Sequence, residues 1–127
     1  MVLEILRDVM MNERELFNLL INSLSNRTGY IPYTRFVYLN IGERRDRQAL
    51  LYRIPNNKFG SPYIKGVNIS EFYSAFIQFT DHGDLTARWF RNNLQQSFNE
   101  GGCNFKFLGG CFKIAGILER YERGRFY

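Results

Sequence analysis

The sequence predicts a mostly helical α+β domain with a β ribbon at its end and a small sheet in its middle. Three observations predict it. Two capping pairs, Asn12 with Glu15 and Asn68 with Glu71, sit in or ahead of stretches whose apolar residues recur every three or four positions. Between those stretches, Phe36-Val37-Tyr38-Leu39 breaks the helical period and has the composition of a strand. Residues 118–127 place alternating Arg and aromatic residues around Gly124, as two strands joined by a turn would.

Residues 3–24 read as helix, with Leu6, Met10, Phe17, Leu20, Ile21 and Leu24 as the stripe facing a core. The cap at Asn12 leaves open whether this is one helix or two broken near Met11. Asn26-Arg27-Thr28-Gly29 ends it. In residues 30–54 a strand over 36–39 is favoured, while Thr34 as the cap of a short helix stopping at Gly42 is the alternative. Glu43 to Arg47 is a charged turn, 48–54 a short element stopped by Pro55, 56–62 a loop and 63–67 a brief strand.

From Asn68 onward, Ile69, Phe72, Tyr73, Phe76, Ile77 and Thr80 share one face of a helix ended by Gly83. Asp84 or Thr86 caps the next helix, striped by Leu85, Trp89, Phe90, Leu94 and Phe98 and closed by Gly101-Gly102. Residues 103–118 admit two forms. A hairpin turning on Gly109-Gly110 pairs Phe107 with Phe112 but sets Lys106 against Lys113, a repulsion of a few tenths of a kcal/mol. A helix turns Phe105, Leu108, Phe112 and Ala115 inward and Lys106, Gly110 and Lys113 outward, at a cost of about 1 kcal/mol per glycine. The helix is favoured, because Gly116-Ile117-Leu118 then ends it and a strand, a turn and a strand follow. On a helix Cys103 and Cys111 stand about 12 Å apart, too far for a disulfide.

The 127 residues suit one domain, read as an N-terminal helical segment (1–26), a basic mixed segment (27–67) and a C-terminal half (68–127). No apolar run approaches the ~18 residues of a membrane span, and Glu4, Arg7 and Asp8 interrupt the place of a signal peptide's apolar stretch. Two cysteines cannot staple a secreted mini-protein, so free thiols in the cytoplasm are expected. The net charge is +5, from seventeen basic and twelve acidic residues, and thirteen of the cations are Arg. The segments 1–26, 27–65, 66–100 and 101–127 carry −2, +6, −2 and +3. Arg suits phosphate and guanine edges, and Arg-aromatic neighbours such as Arg35-Phe36 and Arg125-Phe126-Tyr127 suit a surface that meets phosphates and bases. The plainer reading of such neighbours is core aromatics rimmed by Arg stems.

Helix, tight turn, helix, loop, third helix and basic two-stranded ribbon, the order read over residues 68–127, resembles the winged helix-turn-helix superfamily. Residues 116–127, Gly-Ile-Leu-Glu-Arg-Tyr-Glu-Arg-Gly-Arg-Phe-Tyr, carry most of the resemblance. It implies a third helix in the major groove and wing cations on phosphate. Lys106 and Lys113 then lie on the exposed face of the third helix and Arg120, Arg123 and Arg125 on the ribbon; Arg44, Arg45 and Arg47 are a second candidate group for nucleic acid, which either belongs to the same face or is a solvated turn.

The sequence offers little catalytic chemistry. His82, the single histidine, reads as a turn residue, and with Cys103 and Cys111 its spacing is unlike common zinc sites. No phosphate-binding glycine loop or acid-x-Lys pair occurs, and no cofactor or metal is expected. Gly29-Tyr30-Ile31 and Tyr38-Leu39-Asn40-Ile41-Gly42, followed by Arg44 and Arg47, resemble the opening of a GIY-YIG nuclease, which would make Tyr38 and Arg47 the active residues. A hairpin with incidental tyrosines accounts for them as well. The expected function is non-catalytic binding of duplex DNA, as a regulator or an accessory of a DNA-processing system. The rival is a protein-interaction module that docks through an aromatic surface.

Overall fold

The computed structural model describes residues 11–55 and 63–127; the expectations for residues 3–10 and for the loop 56–62 lie outside them. Asn12 opens helix α1 (Glu13–Ser25) with a reciprocal cap, its Oδ1 accepting from Glu15 N–H at 2.8 Å while Glu15 accepts from Asn12 N–H at 3.1 Å. Its stripe of Leu16, Phe17, Leu20 and Leu24 is buried. The next segment forms strands: β1 (Val37–Arg44) pairs antiparallel with β2 (Arg47–Ile54), and β3 (Tyr63–Asn68) adds to the other side of β2. Thr34 caps no helix. Its hydroxyl donates to Ile31 C=O at 2.7 Å and accepts from Phe36 N–H at 3.0 Å, closing a turn ahead of β1.

Asn68 both ends β3 and caps α2 (Ile69–His82) reciprocally with Glu71, and Gly83 stops that helix at φ 78. The short β4 (Leu85–Thr86) follows, with Thr86 as the cap of α3 (Ala87–Asn93). The single helix expected after Thr86 is instead two, because Leu94 leaves helical geometry at φ −124, ψ 56 before α4 (Gln95–Glu100) begins. Asn93 Nδ2 donates to Trp89 C=O at 2.9 Å, competing with the helix ladder for that carbonyl.

Helix α5 (Cys103–Ile114) settles the choice over residues 103–118 in favour of helix. Gly116 at φ 78 and the Ile117 N–H to Phe112 C=O bond then close it. The outer face expected for α5 is corrected in one respect. Gly110 is buried, and eight of the twelve α5 residues are buried, Gly110 among them. A Cβ on Gly109 would stand 2.1 Å from the Phe126 ring, and one on Gly110 would stand 2.3 Å from Ile31. The glycines are there to let neighbours touch the helix backbone.

Beyond α5 the chain forms β5 (Tyr121–Glu122) and β6 (Arg125–Phe126) around Arg123 and Gly124, both at positive φ. The strands are shorter than expected, although Arg120 and Tyr127 exchange both backbone hydrogen bonds just beyond them. β6 lies between β4 and β5. The protein is therefore a mixed α+β fold, with two small antiparallel sheets among the described residues. Its core is aromatic: Phe72 contacts Phe17, Phe107 and Phe112, while Tyr52 of β2 stacks on Phe107 at 4.0 Å. Among the described residues no helix is long and apolar enough to cross a membrane.

Two effects of opposite sign meet at Gly109. Helix propensity alone makes Gly109→Ala a gain of about 1 kcal/mol, whereas the contact with Phe126 makes it an overpacked core position costing about 1–3 kcal/mol. Denaturant unfolding is expected to show a net loss; a net gain would mean that Phe126 does not hold α5 this closely.

Candidate nucleic-acid interface

The residues singled out in the sequence separate into two groups with different electrostatic surroundings. Arg45 and Asp46 form the β1–β2 turn, both at positive φ (53° and 61°). From there the Arg45 guanidinium turns back over the sheet edge. It pairs with Glu71 and Glu100 and donates to Gly66 C=O at 3.2 Å. Burial pulls its pKa down, and the two carboxylates more than offset this, leaving it above the ordinary arginine value. Arg47 pairs with Glu13 at 2.8 Å. Arg44 donates to the Glu43 and Ile64 carbonyls at 3.1 and 3.2 Å. Two of the three hairpin arginines are thus held by carboxylates and the third by backbone carbonyls.

Among the C-terminal cations the pairing is sparser. Arg125, expected to reach phosphate, instead donates to Asp84 at 2.9 Å and lies 4.4 Å over the Tyr127 ring. Arg123 stands in the turn and not on a strand face beside it. Arg120 and Arg123 are exposed and have no ion-pair partner among the described residues. The same absence of an ion-pair partner holds for Lys106 and Lys113 of α5. Being seven residues apart, these two share one helix face. Lys106 Nζ lies 5.8 Å from the centre of the Tyr121 ring, which joins the helix stripe to the ribbon. Glu119 and Glu122 are exposed in the same ribbon, and Glu122 accepts from the Tyr127 hydroxyl at 3.1 Å.

One cation missing from the expected set is Arg35, which lines a cleft with Lys106. Its signal in the sequence is the Arg35-Phe36 neighbour pair, which nothing local distinguishes from the other Arg-aromatic pairs. The arrangement implied by the nuclease resemblance is not formed. Residues 29–31 are not a strand, and Arg47 stands in a strand. Tyr38 lies opposite Tyr52, five residues along β2 from Arg47, about 17 Å away at the rise of a strand. Among the described residues no three His, Cys, Asp or Glu side chains are grouped to hold a metal ion.

Beneath this surface lies a buried polar link. Tyr52 donates to Asn104 at 2.6 Å, and Asn104 donates to the Ser97 carbonyl at 2.9 Å, tying β2 to α4 and α5. Comparison of the chain with known protein families, curated proteins and solved structures gives no match.

Burial, and secondarily the neighbouring Cys103, push the Tyr52 phenol far above its ordinary pKa, and burial pushes the Cys111 thiol well up. Both stay protonated in the folded chain but ionise near 10 and 9 once unfolded. At alkaline pH the unfolded state therefore binds fewer protons, and stability falls as pH rises. Their contribution is complete below about pH 8 and is lost progressively above the unfolded values. Urea unfolding midpoints are expected to drop across about pH 8.5–10.5, less steeply in Tyr52→Phe and Cys111→Ala. Equal slopes in all three proteins would mean that neither group is shielded.

Proposed function

We propose that this chain is a non-catalytic DNA-binding protein, a regulator or accessory of a DNA-processing system. It holds backbone phosphate through Lys106 and Lys113 of α5 and Arg120 and Arg123 of the terminal ribbon. The observation that carries this reading is the partition of charge: two of the hairpin arginines are neutralised by carboxylates, whereas these four cations lack such partners among the described residues. Unneutralised cations are the ones that gain by displacing counterions from a nucleic acid. The order α2, β4, α3–α4, α5, β5, β6, with β6 between β4 and β5, supports the winged-helix resemblance of residues 68–127.

The burial of α5 limits the form of the contact. A helix with eight of twelve residues buried presents a single stripe, so it can lie along a phosphate backbone more readily than enter a major groove. This reading therefore favours sequence-tolerant binding. A second reading, docking of a protein partner on an aromatic surface, is favoured by the exposure of Tyr30 and Tyr63.

Salt dependence separates the two. With a labelled duplex, anisotropy titrations are expected to show log K falling linearly with log salt, by about 0.9 per phosphate neutralised. Replacing Arg120 and Arg123 by Ala should weaken all duplex sequences alike and flatten that slope by about one for each cation removed from a phosphate. Arg47→Ala should change neither. No binding at low salt overturns the reading.

A further inference from the structure

Tyr33, Thr34, Arg35, Phe36, Pro55 and Lys106 line a shallow cleft of about 540 Å³, wide open to solvent. Its aromatic side is rigid from beneath. Phe36 lies 5.1 Å, ring to ring, from Tyr52, which stacks in turn on Phe107 in the core. Tyr33 is 43% exposed yet held in left-handed backbone at φ 67, a conformation unfavourable for a residue with a side chain. Three contacts keep it there: its hydroxyl donates to Glu119 C=O at 3.4 Å, and its ring packs on Tyr121 and Phe126 at 5.4 and 6.1 Å. Strain maintained by surrounding contacts, with the ring still open to solvent, is a pattern that gathers at binding sites. Arg35 and Lys106 supply the charge, and neither has an ion-pair partner among the described residues.

We propose that this cleft holds one unpaired nucleotide, its base against Tyr33 and Phe36 and its phosphate between Arg35 and Lys106. A simple anion would use the two cations but leave the aromatic side idle, and an apolar molecule would do the reverse. A nucleotide uses both, since every base has a π-face and carries its phosphate at a fixed reach. Continuous duplex keeps its bases stacked inward and cannot present that face. The surface therefore prefers single-stranded or frayed DNA. This inference rests on the proposed binding of nucleic acid and narrows its substrate.

The test compares a labelled oligothymidylate with a blunt duplex of equal length, using the full chain, Tyr33→Asn and Arg35→Gln. Asn tolerates left-handed backbone, so the first variant removes the ring while keeping the turn. The full chain is expected to bind the single strand about tenfold more tightly than the duplex, the worth of stacking one base. Each variant should lose most of that preference while its duplex affinity holds. Saturating thymidine 5′-monophosphate should lower the single strand's affinity for the unaltered protein by about tenfold, to about that of the duplex, and change duplex affinity far less, a readout that stands even if a variant fails to fold. Equal affinity for the two DNAs, a preference that survives in both folded variants, or failure of the nucleotide to compete overturns the cleft while leaving phosphate binding intact. No binding of either DNA at low salt overturns both.

Discussion

Gly109 and Gly110 let two distant parts of the chain reach the backbone of α5, Phe126 from the ribbon and Ile31 from the turn before β1. Both contacts lie where any side chain on the helix would collide. Phe126 belongs to the central strand of the second sheet, so its seat on Gly109 fixes where the ribbon and its cations stand. Ile31 starts the turn that Thr34 closes, so its seat on Gly110 fixes where Tyr33, Arg35 and Phe36 stand. Phe107, on the same helix, supports Tyr52 and through it the first sheet. One helix therefore sets the position of the ribbon, the cleft and the sheet relative to one another. The two glycines give up helix propensity of about 1 kcal/mol each, and close packing against the buried Phe126 ring and the buried Ile31 side chain is what offsets it.

Charge follows a similar logic of long-range partners. Counted along the chain, the segment 27–65 is the most basic, at +6, and the segment 66–100 is acidic, at −2. In space these segments meet. Glu71 and Glu100 come from the acidic segment to Arg45, and Glu13 comes from the acidic N-terminal segment to Arg47. The Glu71 carboxylate also caps α2, so one buried acid secures a helix start and a hairpin turn together. The smaller excess in 101–127 loses only Arg125 to such a pair, with Asp84. Block sums count charges and not partners: pairing takes Arg45 and Arg47 out of the excess of 27–65 and Arg125 out of that of 101–127.

What was legible in the sequence was local. Asn12 with Glu15, Asn68 with Glu71, Gly83 and Gly116 mark helix ends through hydrogen bonds and backbone angles that span a few residues, and each marks a real one. The mixed α+β class and the small sheet follow from such local signals. The break at Leu94 was not legible, since Asn93 gives the same sequence pattern whether it faces solvent or bonds to Trp89 C=O. Nor was the burial of α5. Lys106, Gly110 and Lys113 fall on one stripe of a helical wheel, but Gly110 is covered by Ile31, a loop residue far earlier in the chain. The expected site divided for the same reason: Arg123 and Arg125 are two residues apart, yet one sits in a turn and the other on Asp84.

The aromatic content, 17% of the chain, divides by residue type in a way that bears on function. Phe17, Phe72, Phe76, Phe90, Phe107, Phe112 and Phe126 are fully buried, and among the tyrosines Tyr52 joins them with its hydroxyl satisfied by Asn104. Among the described residues the exposed aromatic rings are tyrosines: Tyr30, Tyr33 and Tyr63. A phenol can leave its hydroxyl in water while offering a flat face, whereas an exposed Phe offers the face alone and gains more from burial. High aromatic content therefore reflects mainly how this small chain fills its core, and by itself argues for no ligand. A ligand surface needs an exposed ring and unpaired cations side by side. Within the described residues, Tyr33 with Arg35 and Lys106 meets that condition over a packed floor, and contacts with Glu119, Tyr121 and Phe126 hold the Tyr33 ring in place against its strained backbone.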